Sequence, residues 1–427
     1  MKSISLEYGE SGLDLLLEGL NATLIRPTFV QGLPDEAEAF REAVRNPIGR
    51  ESLRGRVRPT ERVVVVIPDI TRALPNERLL TWLFEELAHV PRENFVILSG
   101  TGTHRGNTEA EWIRMVGERI YRSVRCVNHN AADPTTLASA GTSAAGYEVC
   151  YNQEYLEADR RILMGFIEPH FMAGFSGGYK AAFPGVASLD AILSYHSAAN
   201  IAHPRSTWGL LDGNPTQENI RAAGSLVPVD LLINVTLNNR QEITRFFVGD
   251  PIEAHEAGCR FCRDTAMVRC PEPFPIVVTS NSGFPLDQNL YQSVKGLSAA
   301  AQVVENNGLI LLAARCNDGF PEHGNFRRFL HEHPSPAAML ETIRAPGFRR
   351  MDQWQVQILA LILERARVGI FSELPPDAVH QAHIEPVTDL RKRLDEEIGR
   401  RGPGTPVAIL PEGPMTIPYL APSLSGE

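Results

Sequence analysis

VVVVIPDITR, residues 63–72, decides the reading of the fold. Its five leading β-branched residues suit a strand buried on both faces, as in a parallel sheet. A polar cluster, Asp69 to Arg72, follows, and then a helix-like stretch, Glu77–Ala88. The same order recurs. Phe95–Leu98 runs into Ser99 through Arg105, Ile162–Phe166 into Glu168-Pro-His170, and Leu231–Val235 into Thr236 through Asn239. Thr108–Tyr121 supplies another helix-like stretch. This alternation predicts βαβ units and an open α/β sheet. Ligands of such sheets bind beyond the carboxyl ends of the strands. Asp69, Arg72, His104 and His170 all follow a strand end.

A proline-rich break, Cys270 to Pro275, reads as a linker. Beyond it Ile276–Thr279, Leu309–Ala313, Val368–Phe371 and Val407–Leu410 restart the pattern. The expectation is two α/β domains with mostly parallel sheets, residues 1–269 and 276–427. The cleft between two such domains is a natural ligand site.

The 427 residues can build two real cores. A formal charge of −10 argues against nucleic acid or an anionic membrane as partner. No apolar run reaches the roughly 20 residues of a membrane span. Met1 to Glu10 lacks the apolar core of a signal peptide. Six scattered cysteines fit reduced thiols, and the expected location is the cytoplasm. His255, Cys259, Cys262 and Cys270 have zinc-like spacing. No second Cys-x-x-Cys follows, and Pro251–Met267 reads as one amphipathic helix, so the cluster is expected to be incidental.

GFIEPHFMAGFSGGYKAAFPG, residues 165–185, carries the most chemistry. Its glycines can bring backbone N–H groups against an anion. Lys180 can neutralise a phosphate or serve as a covalent attachment point. Tyr179 between Gly178 and Lys180 breaks the Walker A pattern, and no Gly-x-Gly-x-x-Gly exists, so dissociable NAD is poorly supported. The ordinary alternative is a loop that only turns the chain. Ser188 is a plausible N-cap, placing His196 on the helix that starts there, as packing residue or metal ligand. A metal there needs most ligands from a cofactor. His104 and His170 are either an acid–base pair on opposite faces of a substrate or two unrelated histidines, with His129 a rival. His89, His323, His331, His333, His380 and His383 read as surface residues. Gln292 and Lys295, three apart, share a helix face that could bind a carboxylate or simply be solvated.

Together these segments resemble the lactate racemase family. The resemblance rests on Asp69-Ile-Thr-Arg72, Gly102-Thr-His104-Arg105, Pro169 through Lys180, Tyr195-His196 and Tyr291-Gln-Ser-Val-Lys295. It implies an isomerase that racemises or epimerises a 2-hydroxy acid. The cofactor it implies is a nickel-pincer nucleotide, pyridinium-3,5-bisthiocarboxylic acid mononucleotide, joined to Lys180 through a thioamide. By the same resemblance His196 completes the nickel coordination, and His104 and His170 are the acid–base pair. Asp69, Thr71, Ser176, Gly177 and Gly178 surround the cofactor. Arg72, Gln292, Lys295 and Trp354 surround the substrate. Cofactor-making enzymes are implied partners. Ala73 and Gly106 stand where the family commonly has proline, which leaves the substrate's side chain open. The competing readings are an NAD-dependent 2-hydroxy acid dehydrogenase and a non-enzymatic protein that binds a small acid or nucleotide.

Overall fold

Val63 to Ile67 are fully buried in the strand Val63–Pro68, as a run of branched side chains on both faces of a central strand requires. The computed structural model describes residues 3–321 and 324–420. Its contacts divide the chain into two units, Phe29–Asp264 and Met1–Thr28 with Thr265–Glu427.

The first unit holds a six-stranded sheet in the order Ile243–Gly249, Leu231–Leu237, Arg160–Phe166, Val63–Pro68, Phe95–Gly100, Arg125–Asn128. Only the pair at the Ile243–Gly249 edge is antiparallel. One core joins the sheet to the helix Asn76–Glu86 through Val63, Val65, Ile67, Leu79, Leu80, Leu83 and Phe84. The expected helix Thr108–Tyr121 is two helices, Glu109–Val116 and Glu118–Ser123. Gly117, at φ +81°, breaks it in a conformation that glycine tolerates.

The second unit has its own six-stranded sheet, ordered Glu385–Val387, Arg367–Phe371, Val304–Ala313, Phe274–Ser280, Pro406–Leu410, Asn21–Leu24. All its pairings are parallel. The strand Asn21–Leu24 lies beside Pro406–Leu410, so the first 28 residues belong with the C-terminal part of the chain. That differs from a division into 1–269 and 276–427. Within the expected linker, Cys270 ends the strand Met267–Cys270, which pairs with Ile417–Leu420, and Phe274 starts the next strand. Among the described residues no helix is long and apolar enough to cross a membrane.

Candidate active site

The loop after Val63–Pro68 is built around one carboxylate. Asp69 is 4% exposed, and Thr71 donates to its Oδ1 from both N–H and Oγ1, at 3.1 and 2.6 Å. His104 donates from Nδ1 to Oδ2 at 2.6 Å. Burial alone would raise this carboxyl, but the charge and hydrogen bond of His104, then Thr71 and Arg72, bring it down to about 2. Asn107 locks the two strand-end loops together. Its Oδ1 accepts from Ile70 N–H, and its Nδ2 donates to Ser99 Oγ and Asn128 Oδ1. Gly106 packs where a Cβ would meet Asn128 Nδ2 at 3.0 Å, which gives its lack of a side chain a packing reason.

A short antiparallel pair, Pro169–His170 with Gly174–Phe175, opens the glycine-rich segment. His170 is buried, and its Nδ1 accepts from the N–H groups of Met172 and Ala173. Gly174 sits at φ +76°, and a Cβ there would lie 2.0 Å from the Leu210 carbonyl oxygen. Gly174→Ala is therefore expected to cost about 1–3 kcal/mol through overpacking and left-handed strain. A urea unfolding midpoint equal to that of the native chain would refute this.

The turn Ser176–Gly178 is held from behind. Gly178 N–H donates to Asn234 Oδ1 at 2.8 Å, and His255 Nε2 donates to the Ser176 carbonyl at 2.9 Å. Ser176 Oγ donates to Phe166 O and accepts from Glu168 N–H, so its hydroxyl is engaged inside the loop. Lys180 follows on a short 3-10 turn, Gly178–Ala181. Burial, then the positive charge of Arg72, lowers its amine to about 8, against the opposing pull of Glu168 and Asp69. Arg72 Nη1 is buried with no hydrogen-bond partner, an unmet donor of the kind an anion satisfies.

Ser188 caps the helix Leu189–Tyr195 by accepting from Ala191 N–H, and His196 is its C-cap rather than a residue within it. His196 Nδ1 donates to the Ile192 carbonyl at 3.0 Å, which leaves the ring lone pair on Nε2. Burial, then the charge of Lys180, lowers His196 to about 3, so the ring is neutral at ordinary pH. A neutral imidazole with one nitrogen fixed by a carbonyl is the form that binds metals. Among the described residues, no group of three or more His, Cys, Asp or Glu could hold a metal by itself.

Asp69, Arg72, Lys180 and His196 thus act on one another electrostatically. Gln292, Lys295 and Trp354 lie in the other unit. The helix Leu290–Ala300 buries both Gln292 and Lys295, with Lys295 Nζ donating to Gln292 Oε1 at 2.6 Å, so this is not a solvated face. Trp354 Nε1 donates to Tyr291 Oη at 2.8 Å.

His129 is buried, its Nε2 donating to Ala187 O, and burial lowers it to about 4. That is a packing arrangement. His255 and Cys259 are 3.3 Å apart, behind the glycine turn. His89 and His380 are exposed, whereas His331, His333 and His383 are half-buried, with His333 bonded to Phe329 O and Thr342 Oγ1. His323 lies outside the described residues. Asn107 and Asn234 were not singled out from the sequence, and His255 was read there only as part of a zinc-like cluster expected to be incidental. Asn234 had a signal, a lone amide inside the apolar run LLINVTL.

Two family models match the chain, the lactate racemase N-terminal domain over residues 8–209 and the lactate racemase C-terminal domain over 271–417. The lactate racemase of Thermoanaerobacterium thermosaccharolyticum is 32% identical over 424 residues, covering 98% of this chain and 99% of the relative. That of Lactiplantibacillus plantarum is 32% identical over 381 residues, covering 88% and 90%. The lactate racemase apoprotein structure from T. thermosaccharolyticum superposes with a TM-score of 0.88 at 31% identity, covering 98% of this chain and all of that one. A Thermotoga maritima crystal structure, at 18% identity and a TM-score of 0.74, shares the fold over 92% of this chain.

Proposed function

This chain belongs to the lactate racemase family and is an isomerase, and on that premise we propose that it racemises or epimerises a 2-hydroxy acid with a nickel-pincer pyridinium nucleotide attached at Lys180. The observation that carries this reading is His196, neutral, with its lone pair on Nε2 and Lys180 among its electrostatic neighbours. The unmet Arg72 Nη1 and the partly neutral Lys180 amine fit the same group.

When bound, the nucleotide supplies a reversible hydride acceptor. The chain supplies orientation and proton handling. His196 Nε2 is the protein's ligand to nickel. Lys180 Nζ is the attachment atom. Thr71, Ser176, Gly177 and Gly178 form the nucleotide's surroundings, and Asp69 acts through Thr71 and His104. Arg72, Gln292, Lys295 and Trp354 hold the substrate, with the cations on its carboxylate. His104 and His170 handle the hydroxyl proton. Enzymes that make the nucleotide are the partners this assignment requires.

The test is intact mass and metal content of protein expressed with the cofactor-making enzymes, followed by incubation with each lactate enantiomer and with larger 2-hydroxy acids. One covalent adduct, nickel, and equilibration of one substrate are expected. A substrate deuterated at C2 should keep its label, because the hydride returns without exchange with water. Washout of the label would replace this reading with proton abstraction. His196→Ala should lower nickel while the fold and organic adduct persist. Unchanged nickel content would return His196 to packing.

A further inference from the structure

The helix Glu253–Ala266 carries the zinc-like residues, and it stands behind the glycine-rich segment. His255, Gly258, Cys259 and Cys262 recur at the spacing of one helix face. The three side chains among them are all buried. Gly258 presses on the loop that follows the strand Arg160–Phe166, since a Cβ there would lie 2.1 Å from Ile167 Cδ1. One turn further on, Arg263 Nη2 donates to the Gly209 carbonyl at 3.0 Å, and its guanidinium stands over the Phe175 ring. Gly209 N–H in turn donates to the Gly174 carbonyl at 3.0 Å.

On this face His255 touches the turn itself. Its Nε2 lies 2.9 Å from the Ser176 carbonyl oxygen and 3.3 Å from Cys259 Sγ. A carbonyl only accepts, so Nε2 carries the hydrogen. Burial, and then the charge of Arg221, lowers the ring to about 4 against the pull of the Ser176 carbonyl, so it is neutral at ordinary pH. Its flat side lies against Gly178, where a Cβ would meet the ring at 2.8 Å. Lys180 N–H donates to the Gly177 carbonyl at 3.1 Å, which links the attachment residue directly to the turn that His255 holds.

We propose that His255 is a positioning residue for cofactor attachment: its Nε2–H fixes the Ser176 carbonyl and its ring backs Gly178, so that Lys180 is offered to the nucleotide from a turn already set. The inference rests on the attachment reading above and extends it to a residue that touches neither nucleotide nor substrate. Attachment joins Lys180 Nζ to a thiocarboxyl carbon. One amine hydrogen and the thiocarboxyl hydrogen leave with the carboxyl oxygen as water, and nothing is oxidised or reduced. Such a condensation depends on how the amine is presented, because a misplacement of about 1 Å can cost about a hundredfold in rate.

The test follows loading rather than turnover. Apoprotein made without the cofactor-making enzymes is mixed with the nickel-pincer nucleotide that they release, and the adduct is timed by intact mass per folded chain. His255→Ala should load at least about tenfold more slowly than the native chain, whereas His255→Gln, which keeps an N–H donor, should load within about threefold. Cys259→Ala removes a side chain from the same buried face and leaves the His255 N–H in place, so it should load at the native rate even where its melting temperature falls. Native loading in His255→Ala, or equal slowing in His255→Gln or Cys259→Ala, overturns the proposal. A second measurement needs no variant. In native apoprotein the Gly178 and Lys180 amides should exchange hydrogen as slowly as those in the middle of the helix Glu253–Ala266; exchange at the rate of an open loop overturns the proposal as well. Failure of the attachment reading looks different, since the native chain itself would then gain no adduct.

Discussion

Lys180→Ala is expected to emerge from co-expression with the cofactor-making enzymes at the mass of its bare polypeptide, whereas the native chain carries one adduct. The position suits attachment for three physical reasons. The amine follows a turn whose backbone is fixed by Asn234 and His255, so it has little freedom to miss its target. Its charged form is disfavoured by burial and then by Arg72, and more of it is the nucleophilic free amine at neutral pH than for an ordinary lysine. Neither Gly177 nor Gly178 can carry a side chain: a Cβ would meet Asn234 Oδ1 at 2.6 Å in one case and the His255 ring at 2.8 Å in the other. Lys180→Arg keeps the charge and lacks the amine, so it too should remain without adduct. An adduct of the same mass on either variant, or one mapped to another peptide, moves the attachment elsewhere.

The strands of this fold were legible because parallel core strands bury both faces, which leaves uninterrupted runs such as Val63–Ile67 and Leu309–Ala313. Asn21–Leu24 was not legible as part of the distant sheet. It is four residues long, half polar, and paired with a strand some 380 residues away in sequence, so nothing local specifies its partner. The break at Gly117 was visible in principle as a glycine within a helical pattern. In the site, the strand-end residues were legible from topology, since loops after parallel strands converge. Their protonation was not. Whether a histidine faces a carboxylate or two N–H groups depends on contacts made only by the folded loops. Asp69 reaches His104 across 35 positions, and His170 is met by its own turn only because Gly174 reverses the chain. Lys295 illustrates the same limit: its spacing from Gln292 was read correctly, but its burial is set by the packing of the whole helix.

Asp69→Asn should reduce racemisation about 10²–10⁴-fold from either enantiomer while the nucleotide adduct and nickel remain, the range expected when general acid–base catalysis is lost. The carboxylate does two things that an amide cannot do together. It fixes the His104 hydrogen on Nδ1, so that the basic lone pair is at Nε2, and it stabilises the imidazolium once the proton has moved. An amide that turns its NH₂ toward Nδ1 imposes the opposite tautomer; turned the other way, it offers no charge. The pH dependence separates the two states of Asp69. Its folded value, lowered to about 2 from 3.8, means that the ionised form contributes stability above the unfolded value and loses it as pH falls through about 2. Between about pH 4 and 8 the native carboxylate therefore stays charged, and any acid-side loss of activity in that window arises from another group. Asp69→Asn should lower activity across the whole window, without restoring it at either end. Full activity in this variant at any pH within the window would mean that His104 does not depend on the carboxylate for its tautomer, and the dyad would have to be abandoned as the carrier of the proton.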